Sequence, residues 1–87
     1  MDPQDILDIL ADLNPEAILW DGFEGAVIGF GERCGLGPVA VYSWDRMVQI
    51  LSDEMDEEEA AEYINYNILG AYVGEYTPII MTLEVAV

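Results

Sequence analysis

Seven carboxylates fall within ten residues: Asp53, Glu54, Asp56, Glu57, Glu58, Glu59 and Glu62, with no lysine or arginine among them. Acids at this density can cap a helix, hold a divalent cation, share a proton as a general acid–base pair, or present a negative field to another molecule. Asp56 suits the N-cap, where its carboxylate accepts from free backbone N–H groups. Glu59 stands three residues on, in the capping-box position, and Glu57, Glu58 and Glu59 lie where the helix dipole favours negative charge. Capping takes about two or three acids, and the mutual repulsion of the others costs stability. A calcium loop requires a glycine at its turn, and 53–62 contains none and reads as helix. Paired carboxylates of the glycosidase kind require a substrate cleft, for which 87 residues leave little room. The field itself remains.

Other chemistry is sparse. Histidine is absent, which removes the commonest general base and metal ligand. Cys34 has no histidine to activate it as a nucleophile. The glycines of GFGERCGLG (29–37) have neither the Walker nor the dinucleotide spacing, no lysine accompanies them, and the surrounding charge repels phosphate. A tight hairpin accounts for them. The expectation is no enzyme, no cofactor, no metal site and no catalytic residue.

Eighteen acids stand against two arginines, a formal charge of −16, in a chain that is 53% hydrophobic. The apolar content argues for one small folded domain over 1–87 rather than disorder. The charge opposes folding through self-repulsion and favours basic protein surfaces as partners, while it disfavours direct binding of nucleic acid or anionic membranes. A lone cysteine allows no internal disulfide and fits a reducing cytosol. No stretch reads as a signal peptide or a membrane span.

The elements that must position these residues follow from periodicity. Pro3 to Leu13 reads as a helix with Ile6, Ile9, Leu10 and Leu13 inward and Asp5, Asp8 and Asp12 on one flank. Asn14-Pro15-Glu16 fits the start of a new helical turn, with Asn14 as N-cap, while Ile18, Leu19 and Trp20 fit a short strand equally well. Asp21-Gly22 marks a turn. Ala26 to Arg33 alternates, with Ile28 and Phe30 on one face and Gly29 and Gly31 on the other, and such glycines suggest a close backbone approach. A glycine-rich loop, Cys34 to Pro38, leads to a returning strand, Val39 to Tyr42. Ser43 N-caps a helix to Met55 whose Trp44, Met47, Val48, Leu51 and Met55 face the core, with Arg46 outside. The acidic helix runs from Asp56 on the stripe Ala60, Ala61, Ile64, Ile68 and Ala71 to a stop at Gly70–Gly74. In the tail Ile79, Met81, Leu83, Val85 and Val87 form the apolar side of a half-buried strand. The fold class is α+β: an antiparallel β-hairpin plus a C-terminal strand, in an antiparallel sheet with about three helices against one face.

Several of these segments, Asp21-Gly22-Phe23, Pro38 with Val39-Ala40-Val41-Tyr42, Glu58-Glu59-Ala60, and Gly70-Ala71-Tyr72-Val73-Gly74-Glu75 with Thr77-Pro78, together resemble a family of small acidic proteins encoded by bacteriophages. The likeness covers most of the chain from Asp21 onward; the Leu83–Val87 tail departs from it. The family has no assigned activity, so the resemblance implies a phage origin and little more; the expected location is the cytosol of a host cell. By analogy of charge and origin, small acidic phage proteins often inhibit host enzymes, some of them as DNA mimics aimed at restriction, CRISPR or uracil-excision systems. The preferred expectation is such an inhibitor, presenting Asp5, Asp8, Asp12, Asp53, Glu54, Asp56, Glu57, Glu58, Glu59 and Glu62 to a basic host nuclease, glycosylase or other nucleic-acid-binding protein. The alternative is a small phage adaptor or structural protein, as a monomer or homodimer, whose charge serves solubility. Its contact surface would be Tyr63, Tyr66, Tyr72 and Tyr76 with the Ile79–Val87 strand.

Overall fold

The computed structural model describes residues 2–69 and 73–82. Within them the chain forms α1 (Pro3–Leu13), a 3-10 turn (Glu24–Ala26), β1 (Val27–Gly31), β2 (Val39–Ser43), α2 (Trp44–Leu51), α3 (Glu57–Ile64), a π-helical turn (Asn65–Leu69) and β3 (Ile79–Met81). The architecture is α+β, with a three-stranded sheet in the order β1-β2-β3. β1 and β2 make the expected antiparallel hairpin, and the loop between them turns at Gly35, whose φ of +80° favours glycine. β3 pairs with the other edge of β2 but runs parallel to it, placing Ile79, Ile80 and Met81 beside Val41, Tyr42 and Ser43. The sheet is therefore mixed, not antiparallel throughout. Between β2 and β3 the chain passes through α2 and α3, and a crossover of that kind returns it to the end where β2 began.

β2 is the centre of the molecule, buried at all five positions. Its Ala40 and Tyr42 join Ile6, Leu7 and Leu10 of α1, Val27 of β1, Met47 of α2 and Ile64 of α3 in one core. The phenol Oη of Tyr42 accepts the backbone N–H of Trp20 at 2.9 Å, and the two rings lie 5.1 Å apart, tilted. Burial raises the pKa of that phenol; the Trp20 hydrogen bond opposes the shift, and the charges of Glu24 and Asp21 add to it.

Several expectations are corrected by packing. In α1 the inward residues are Ile6, Leu7 and Leu10, while Ile9 and Leu13 are exposed. A β-bulge between Val27 and Gly29 shifts the register of β1, so that Val27, not Ile28, joins Phe30 against the core. No backbone crowds the β1 glycines: Gly29 faces open space, and a Cβ on Gly31 would meet only the Val41 and Ile79 side chains at ordinary distance. In β3 it is Ile80 that packs against the core, because it sits beside Tyr42; Ile79 and Met81 are exposed. Leu83–Val87 lie outside the described residues.

The Asn14–Trp20 segment is neither helix nor strand. Asn14 closes α1 as its C-cap. Its Oδ1 accepts from Glu16 N–H at 3.2 Å and its Nδ2 donates to the Pro38 carbonyl at 2.8 Å. A buried amide satisfied on both sides ties the end of α1 to the hairpin loop. α2 begins at the Ser43 cap, whose hydroxyl accepts from Arg46 N–H, and it stops at Leu51, so Met55 falls in the following turn. Met47 alone among the expected α2 core residues is fully buried; Trp44, Val48 and Leu51 pack at the edge, and Arg46 is outside as expected.

α3 does not continue as an α-helix to the glycines. Ala60, Ile64 and Ile68 are buried at steps of four, and in an α-helix each such step overshoots a full turn by about 40°. The wider π turn over Asn65–Leu69 corrects that drift and keeps Ile68 on the core side. Asn67 Nδ2 donates to the Tyr63 carbonyl across it at 3.1 Å. Gly70, Ala71 and Tyr72 lie outside the described residues. Gly74, with φ +131°, turns the chain toward β3, and Thr77 Oγ1 braces that turn by accepting from Val73 N–H and donating to the Gly74 carbonyl.

Candidate acidic interface

The local reason for the acidic end of α3 is its cap. Asp56 Oδ1 accepts the Glu59 backbone N–H at 2.8 Å, so the first turn carries Glu57, Glu58 and Glu59 at fixed angular intervals and Glu62 follows in the second. Asp53 and Glu54 occupy the turn between α2 and α3, which closes with Glu54 and Met55 both donating to the Leu51 carbonyl. The block is thus mounted on a tight two-helix corner rather than on a tether.

All ten carboxylates expected at the interface are exposed: Asp5, Asp8, Asp12, Asp53, Glu54, Asp56, Glu57, Glu58, Glu59 and Glu62. On α1 the Asp2 carboxylate caps the Asp5 N–H at 3.0 Å, and Asp8 Oδ1 accepts from Gln4 Nε2 at 2.9 Å. The two acidic rows ride on different packing units. α1 rests on β1, the 3-10 turn and β2, whereas α3 rests on α2 and runs into the π turn. Two arginines can neutralise at most two of eighteen acids, and Arg33 already directs its Nη2 to the Glu75 carbonyl at 2.8 Å.

One residue pairing was not legible in the sequence. Asp45 of α2 and Glu57 of α3 line the same open groove, of about 490 Å³, together with Trp44, Val48, Gln49 and Ala61. Asp45 carries no signal of this in the sequence, because nothing in local spacing shows which side of α2 turns toward α3.

The aromatic alternative is placed in part. Tyr66 is 84% exposed and Tyr63 43%, and Leu69 and Val73 are exposed as well. Tyr76 is half-buried, and its carbonyl accepts from Ile18 N–H; Tyr72 lies outside the described residues. Among the described residues no group of three or more acids or thiols could hold a metal ion, no buried side-chain polar atom lacks a partner, and no helix is long and apolar enough to cross a membrane. Cys34 is exposed on the hairpin loop. No protein-family model matches the chain, and neither the curated proteins nor the solved structures give a match.

Proposed function

We propose that this chain is an acidic inhibitor of phage type, a DNA mimic that occupies the basic nucleic-acid-binding surface of a host nuclease, glycosylase or related protein in the host cytosol. The observation that carries the reading is the charge spacing on a capped helix. Glu57, Glu58, Glu59 and Glu62 span about 7.5 Å of helix axis, one charge per about 2.5 Å, beside about 1.7 Å for duplex DNA with both strands counted. A target groove evolved for phosphates would meet carboxylates at similar density, and binding would release counterions as DNA does.

The test is capture from a bacterial lysate at low salt with elution by a salt gradient, followed by affinity measurement on the captured protein. Replacing Glu58, Glu59 and Glu62 together with glutamine preserves size and helix propensity and leaves the Asp56 cap in place. The expected result is a loss of roughly 100-fold or more in affinity, a shallower salt dependence, and competition by DNA in the parent complex. Undiminished affinity with the same salt slope refutes mimicry.

A second reading, a small adaptor with an aromatic contact surface, draws on the 84% exposure of Tyr66, with Tyr63, Leu69 and Val73 also exposed. It predicts the reverse pattern: Tyr66→Ser abolishes capture and the triple glutamine variant does not.

A further inference from the structure

The groove between α2 and α3 joins two kinds of side chain. One is a set of apolar lining residues, Trp44, Val48 and Ala61; the other is a pair of acids, Asp45 and Glu57, contributed by different helices. Trp44 is partly buried and packs against the core. Arg46 follows Asp45 in sequence but does not line the groove, so no cation of the chain itself is among the lining residues. An indole with carboxylates beside it suits a planar cation, which can stack on the ring while its N–H groups reach the oxygens.

We propose that this groove is a docking slot for an arginine side chain projecting from a basic protein partner. Arginine is preferred to lysine because its guanidinium is planar, weakly hydrated and forked, and so matches an indole face and a carboxylate together, whereas an ammonium is a compact, strongly hydrated point charge. Charge complementarity selects the occupant: a chain of net charge −16 draws cations to its surface, and in this groove two of its carboxylates stand with a tryptophan. The slot deepens the inhibitor reading and rests on it for the identity of the partner as a protein. It would add one oriented contact to a row of acids that otherwise attracts without orientation.

The test separates slot from row, since the two use different residues. Arginine methyl ester, with lysine methyl ester as comparison, is titrated into the intact protein while the Trp44 indole N–H and the backbone amides are followed by NMR. The expected result is a saturable shift centred on Trp44, Asp45 and Ala61, stronger for arginine than for lysine. Glu57→Gln and Asp45→Asn, both at exposed positions, should each weaken it by about two- to fivefold. The Glu58, Glu59 and Glu62 triple glutamine variant should leave it in place. Shifts spread evenly over the acidic helices, or a Trp44 response unchanged by Glu57→Gln and Asp45→Asn, would overturn the slot. Loss of lysate capture in the triple variant would stand regardless, so the two readings fail separately. Trp44→Leu, which keeps an apolar side chain but removes the ring, should abolish the preference for arginine over lysine, with a thermal melt to confirm folding; a preference that survives it also counts against the slot.

Discussion

Toward the start of α3 the exposed side chains are Glu57, Glu58, Glu59 and Glu62; from its last turn into the π turn they include Tyr63, Tyr66 and Leu69. The first group is held by a side-chain cap, Asp56 on the Glu59 N–H, and repels itself. The second sits on or beside a π turn that exists because Ile68 must stay on the core side. Ala60 and Ile64 of the same helix are fully buried and serve both. The contrast teaches that one short helix carries two chemically opposite surfaces on a single apolar anchor, so each can be altered while the other is kept, provided the anchor is untouched.

The largest expected effect comes from the anchor itself. Ile64→Ala should destabilise the protein by about 2–5 kcal/mol in denaturant titration, and both ends of α3 should lose hydrogen-exchange protection together. A loss below about 1 kcal/mol would mean that the two ends are held independently and that the contrast is wrongly drawn.

Smaller and more local is the cap. Asp56→Ala should cost about 1 kcal/mol, with protection lost over the first turn of α3 and retained over 65–69. Equal loss at both ends would show the π turn to depend on the capped turn before it.

Smallest is screening. Raising ionic strength from low values to about physiological, where the Debye length is near 8 Å, should raise the melting temperature modestly. The increment should shrink in the Glu58, Glu59 and Glu62 triple glutamine variant and persist in Tyr66→Ser. A flat or falling melting temperature would show that the acids are compensated locally, and the field at the N-terminal end would then be far weaker than the charge count implies.

Much of this molecule could be read from its residues. Ser43 and Asp56 announced themselves as N-caps because capping is a matter of one side chain and the next three N–H groups. The hairpin over Val27–Ser43 followed from glycines between two apolar runs. What failed did so for reasons beyond local pattern. Ile9 and Leu13 look as apolar as Leu7, and only the angle at which α1 meets β1 decides which of them is covered. The bulge that exchanges Ile28 for Val27 leaves no mark on a period-two pattern. Asn14 has the chemistry of a cap at either end of a helix, and the Pro38 carbonyl 24 residues away in sequence helps settle which. The groove shared by Asp45 and Glu57 requires two helices to be packed before it exists.

The sequence by itself determined the charge, the two helix starts and the α+β class, because each rests on composition or on contacts within a few residues. Tertiary structure alone decided the parallel placement of β3, the inward turn of Ile80 rather than Ile79, the π turn under Ile68 and the meeting of Asp45 with Glu57. Those depend on where a crossover of two helices returns the chain and on which faces are left for it to cover. Such outcomes are set by the packing of distant segments against β2, and no window of neighbouring residues contains them.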